Sequence, residues 1–132
     1  MLENAVKVDK EKFYDMYVKM CKMHNFPPLL LNNIEEVFVH FKDNLLTHSC
    51  FLWNTGSEMC MIGFPLSNLA LPESFREGCL TKLLTGIEEI CKEKGYKLIW
   101  TTSATKRVID SLEEIGYQKG DENVQTYIKV VS

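Results

Sequence analysis

Leu69-Ala70-Leu71-Pro72-Glu73-Ser74-Phe75-Arg76-Glu77-Gly78-Cys79-Leu80, running on into Leu83-Leu84, is the stretch on which the fold turns. Leu80, Leu83, Leu84, Ile87, Ile90 and Cys91 recur at three- and four-residue intervals, which puts them on one stripe of an α-helix, and Gly95 supplies its stop. Ahead of that helix, Leu69-Ala70-Leu71 reads as a short extended piece closed by Pro72, and residues 73–78 read as a polar loop. A glycine loop opening a helix leaves the first-turn N–H groups without intrahelical acceptors, an arrangement suited to an anion. Gly78 fits equally well as a plain turn glycine.

Outward from this stretch, strand and helix patterns alternate. Downstream, residues 97–102 (Lys-Leu-Ile-Trp-Thr-Thr) predict a buried strand, and Ala104, Val108, Leu112 and Ile115 predict a helix closed by Gly116. Residues 124–131 predict a last strand after a turn at residues 120–123. Upstream, Cys50-Phe51-Leu52-Trp53 and residues 59–64 predict a hairpin about Asn54-Thr55-Gly56-Ser57. Before it, Asn33-Ile34-Glu35-Glu36 resembles a capping box and predicts a helix through Ile34, Val37, Phe38, Phe41 and Leu45, although Val37, Val39 and Phe41 also fit a strand. Asp9 caps a helix with the stripe Phe13, Met16, Tyr17, Met20 and Cys21, and Ala5, Val6 and Val8 precede it as a short strand. The expected fold is α/β (α+β), a mixed sheet covered by helices in a single domain over residues 1–132.

Composition narrows the function classes. The 132 residues are 45% hydrophobic and 25% charged, and the net charge of −3 argues against binding nucleic acid by phosphate neutralisation. Cys21, Cys50, Cys60, Cys79 and Cys91 form no CxxC pair and read as reduced core thiols, while His24, His40 and His48 lack metal-site spacing, so no metal is expected. With no long apolar run and no secretory leader pattern, a cytoplasmic protein without membrane association is the expectation. Trp53, Trp100 and the Met59-Cys60-Met61 run are read as core, and the charged residues 88–94 as a solvated face.

The order of elements, and above all residues 72–100, resembles the GNAT (Gcn5-related N-acetyltransferase) family. Ala70-Leu71-Pro72-Glu73 matches the family's strand end, Gly78 the first glycine of its Arg/Gln-x-x-Gly-x-Gly/Ala loop, and Leu83-Leu84 the following leucine pair. Leu112-Glu113-Glu114-Ile115-Gly116-Tyr117 is similar to the family's Tyr-x-x-x-Gly-Phe. The resemblance implies a mostly antiparallel sheet with helices on both faces, and acetyl-CoA as cosubstrate for transfer to an amine of a small molecule or protein. It places cofactor contacts at Leu69, Ala70, Leu71, Arg76, Glu77, Gly78, Cys79, Leu80 and Thr105, the last in place of the family's asparagine, and family habit points to a homodimer. The chain departs from the pattern at Phe75, Leu80 and Leu112, which stand for arginine or glutamine, a small residue and the tyrosine acid. No catalytic residue is assigned; Glu58 and Glu73 are the nearby carboxylates. The alternatives are an inactive GNAT-like structural or interaction module, as encoded by some phages, and a CoA-binding sensor.

Overall fold

The computed structural model describes residues 4–103 and 105–131. Its elements run β1 (Val6–Val8), α1 (Lys10–His24), a 3-10 turn (Leu31–Asn33), β2 (Glu36–Lys42), β3 (Leu45–Asn54), β4 (Met59–Ser67), α2 (Glu73–Arg76), α3 (Cys79–Glu93), β5 (Leu98–Trp100) and α4 (Lys106–Glu114). The strands form one sheet in the order β1-β2-β3-β4-β5, antiparallel throughout except for the parallel β4–β5 pair. This is the α+β class expected, with helices on both faces.

Local chemistry explains the helix ends. The Asp9 carboxylate accepts from the Glu11 and Lys12 N–H groups at 2.9 and 3.3 Å, satisfying two orphan donors of α1. Asn25 closes that helix in the left-handed region at φ 62°.

Two clusters sandwich the sheet. Phe13, Tyr17, Met20 and Cys21 of α1 bury Val37, Val39, Phe51 and Leu66. On the opposite face Leu83, Leu84, Ile87 and Cys91 of α3, with Leu112 of α4, bury Phe38, Cys50, Leu52, Cys60 and Ile62. Gly86 lets α3 meet the start of the chain, since a Cβ there would stand 2.7 Å from the Ala5 nitrogen.

Several expectations are corrected. Residues 36–42 form a central strand, not a helix, because β2 pairs with β1 and β3 and buries Val37, Phe38, Val39 and His40 toward both faces. Residues 69–71 are a turn and bend rather than an extended piece, and residues 73–76 are a helical turn rather than a loop. The β5 strand has only three residues, with Leu98 56% and Trp100 47% exposed, so it is no buried strand and Trp100 no core residue. Residues 124–131 belong to no strand. The stripe of α4 is present at Val108, Leu112 and Ile115, whereas Ala104 lies outside the described residues.

Candidate functional site

The β4–β5 ladder consists of three pairs, Met59↔Leu98, Cys60↔Ile99 and Met61↔Trp100, although β4 continues to Ser67. Beyond Met61 the β4–β5 pairing ends, and among the described residues the β5 side of β4 has no strand neighbour. The divergence coincides with a bulge: Phe51 faces Gly63 and Ser49 faces Leu66, so β4 carries one extra residue. Within it Phe64 holds φ 54°, a left-handed conformation rare for a bulky side chain, and its ring is 56% exposed. Pro65 follows and brings no N–H to this edge.

The turn after β4 delivers α3 to the same end of the sheet. Asn68 organises it: its side-chain amide donates to the Leu46 carbonyl at 2.9 Å, while its side-chain and main-chain oxygens accept from the Ala70 and Leu71 N–H groups at 3.1 Å each. The Ala70 and Leu71 amides are therefore engaged within the turn. Cys60 Sγ and Cys91 Sγ lie 3.5 Å apart, which fixes the C-terminal part of α3 over the start of β4. The N-terminus of α3 accordingly stands at the far end, where β4 has left β5.

That N-terminus has no side-chain cap. Gly78 precedes it at φ 76°, and a Cβ there would meet nothing within 4 Å, so the approach is open on the glycine side. Cys79 is buried and Leu80 is half-buried against the cluster beneath α3, while Glu77 is exposed. The Thr81 hydroxyl donates to the Gly78 carbonyl at 2.8 Å.

Cations gather around this turn. Arg76 is half-buried: its Nε donates to the Leu71 carbonyl at 3.0 Å, tying α2 to the turn that follows β4. Lys42, at the end of β2, donates to the Phe75 carbonyl at 3.0 Å and places its ammonium 4.6 Å from the centre of the Phe75 ring. Phe75, which stands where the resemblance expects arginine or glutamine, thus holds a cation supplied by β2. Arg107 pairs with Glu73 and so sets the opening turn of α4, with Thr105 as its N-terminal flanking residue, beside α2. Lys42, Arg107 and the Phe64 bulge were missed by sequence reading, because each enters from an element distant in sequence or from backbone geometry that residue types do not announce.

The histidines lie at the same end of the sheet. His40 and His48 are cross-strand partners, and His40 Nδ1 is 2.8 Å from the Asn4 carbonyl. His24 Nε2 is 2.8 Å from the Ser67 carbonyl, which requires a proton on that nitrogen. Burial pushes the His48 imidazole down to about 4, with the Arg76 charge adding to the effect and then His40 and His24. Its Nδ1 has no hydrogen-bond partner among the described residues. Among the described residues no group of three His, Cys, Asp or Glu is arranged to hold a metal ion. Leu112, in the position of the family's acid, is buried and carries no proton to give.

A mixed sheet whose one parallel pair, β4–β5, stops pairing early beside a helix without a side-chain cap is the architecture of the GNAT acetyltransferase fold. This chain has that fold. An aminoglycoside acetyltransferase from an uncultured soil metagenomic sample, solved with sisomicin, superposes with TM-score 0.67 at 15% identity over 96% of this chain and 95% of that one. A predicted acetyltransferase from Clostridium acetobutylicum, solved with acetyl-CoA, gives 0.65 at 16% identity over 96% of each chain. A transcriptional regulator from Bacillus halodurans gives 0.65 at 15% identity over 94% and 98%. No protein-family model and no curated protein matches the sequence. Shared architecture under such different names separates fold from function.

Proposed function

We propose that the chain binds acetyl-CoA in the gap between β4 and β5 and transfers its acetyl group to an amine. The observation that carries this reading is the conjunction of the early end of the β4–β5 ladder with an α3 N-terminus that has no side-chain cap. Free first-turn N–H groups and the helix dipole suit a diphosphate. The solved structure with acetyl-CoA on the same fold supports the choice of ligand.

In this reading the amides of Cys79, Leu80 and Thr81 face the diphosphate, with Gly78 leaving room and Glu77 at the rim. Lys42 and Arg76 supply positive charge, Thr105 offers a hydroxyl from α4, and residues 69–71 border the mouth. The main chain of β4 past Met61, rather than the engaged amides of Ala70 and Leu71, lines the acyl end. Acetyl-CoA supplies the acyl group and a thiolate leaving group, so that a neutral amine forms the C–N bond as the C–S bond breaks. With leucine at position 112, the proton for the departing sulfur comes from water. The protonated Nε2 of His24 is no base toward the amine, and base catalysis falls to solvent or to the acceptor's own ionisation.

Calorimetric titration with acetyl-CoA tests this. Binding is expected for the wild-type chain, and Lys42→Ala should weaken it by about tenfold through loss of the ammonium held over Phe75. No detectable binding at millimolar acetyl-CoA sinks the proposal; binding without transfer to any amine in a panel leaves the sensor reading.

A further inference from the structure

A row of large apolar side chains crosses three strands on the α1 face of the sheet. Cys60 and Ile62 of β4 are buried toward α3, so Met61 between them points to the other face. Its register partners stand beside it there: Trp53 on β3, and Trp100 on β5, which is 47% exposed. Met61↔Trp100 is also the last β4–β5 pair, so the row lies where the two strands stop pairing.

The bulge of β4 adds Phe64 to this face. Its ring centre is 5.9 Å from that of Trp53, edge to face at 69°, and 6.3 Å from that of Phe51. More than half of the ring is exposed, so core burial does not account for the left-handed backbone that holds it there. The segment after α1 is fixed beside these rings. Tyr14 Oη donates to the Leu29 carbonyl at 2.8 Å, the Leu29 N–H donates to Tyr17 Oη at 2.9 Å, and the Tyr17 ring meets Phe51 edge-on at 5.0 Å. His24, bonded to Ser67 at the end of β4, stacks on the exposed Phe26 at 5.3 Å and 12°.

Charge is nearly balanced here. Trp53 also lines a groove of ≈340 Å³ that contains one cation, Lys10, and one carboxylate, Glu35. Both are engaged: Lys10 Nζ donates to the Ile34 carbonyl at 2.7 Å, and Glu35 Oε2 accepts from the Asn54 N–H at 3.0 Å. An acceptor with several ammonium groups needs several free carboxylates, whereas this surface offers flat aromatic faces.

We infer that Phe64, Trp53 and Trp100 form the acceptor subsite and that it takes an arylalkylamine, a primary amine carried by a short chain on an aromatic ring. The inference rests on the reading that acetyl-CoA occupies the β4–β5 gap, and it names the acceptor of that site. Transfer yields the N-acetyl amide and free CoA: the nitrogen forms its C–N bond as the C–S bond breaks, and the proton it releases to water balances the one the thiolate takes up.

Calorimetric titrations of the full chain with acetyl-CoA alone and with phenethylamine alone separate the two readings, and mass spectrometry follows N-acetyl product from phenethylamine, butylamine and spermidine. The wild-type chain should use phenethylamine with a kcat/KM at least about tenfold above that for either other amine. Phe64→Ala should raise the phenethylamine KM about tenfold, and Phe64→Tyr, which keeps the ring, should stay within about twofold of wild type. Thermal unfolding verifies that both variants fold, and the amine preference of the wild type tests the inference without them. Acetyl-CoA binding with equal or greater use of butylamine or spermidine overturns the inference and leaves the acetyl-CoA reading standing. A preference for phenethylamine that survives Phe64→Ala overturns it too. No acetyl-CoA binding sinks the reading beneath it; phenethylamine binding that Phe64→Ala removes then still supports the aromatic subsite, and no phenethylamine binding overturns that as well.

Discussion

His48 occupies a position in β3 whose side chain faces the α3 layer, alongside Cys50 and Leu52, and its backbone pairing with His40 and Ser67 leaves the ring little freedom to reach water. A buried imidazole with an unpartnered nitrogen, close enough to Arg76 to feel its charge, is favoured neutral. The sign follows. The folded-state value, about 4, lies below the ordinary 6.5, so as pH falls the unfolded chain takes up this proton first. The stability associated with neutral His48 is complete above pH 6.5 and is lost between there and about 4, with a slope of at most about 1.4 kcal/mol per pH unit. Urea unfolding of wild type and His48→Gln from pH 7 to 5, above most carboxylate titration, should show that slope in the former and a clearly flatter one in the latter. Equal slopes would assign the proton to another group.

At the scale of elements, the N-terminus of α3 joins packing to binding through one residue. Leu80 is half-buried against the cluster beneath α3, yet it sits in the first turn, where a bulky side chain narrows the approach of a diphosphate to the main chain. Leu80→Ala should therefore cost about 1–2 kcal/mol of stability while tightening acetyl-CoA binding by several-fold. Denaturant midpoints and calorimetry read the two effects separately, and loss of stability with unchanged affinity would show that the side chain serves the core alone. The helix itself was legible because Leu83, Leu84, Ile87 and Cys91 bury a single stripe, and α1 was legible for the same reason with Asp9 as its cap. The hairpin was announced by Gly56, which holds φ 79° between β3 and β4. β2 was legible only as the alternative: Val37, Val39 and Phe41 fit a strand, but with Val37, Phe38, Val39 and His40 buried on both faces the two-residue period is blurred and a helical one can be drawn through the same stretch. Nor did Asn33 and Glu36 form a capping box, since Asn33 ends a 3-10 turn and Glu36 binds Lys7 and Lys94. Gly78 could be found from its spacing to Pro72 and Leu83, but Lys42 could not, because nothing in the sequence says that the end of the 36–42 segment is brought to Phe75.

For the whole molecule, the decisive feature is that both clusters share one sheet. Val37 and Val39 face α1 while Phe38 between them faces α3, so neither layer can separate without stripping the backing from the other. The five cysteines report on this from both sides, all of them buried: Cys21 under α1, and Cys50, Cys60, Cys79 and Cys91 on or under α3. Burial pushes the Cys50 and Cys91 thiols up to about 12 and raises Cys21 and Cys60 as well, so in the native state the reactive thiolate is scarce even where reagent could enter. Labelling must then wait for opening. If the sheet makes the two layers one cooperative unit, Cys21 and Cys91 should react with a thiol reagent at pH 8 with rates that agree within about twofold and fall together as the protein is stabilised. Mass spectrometry of quenched samples distinguishes the two sites. Labelling of Cys21 that outpaces Cys91 by orders of magnitude would mean that α1 opens alone and that the strands between the layers do not couple them.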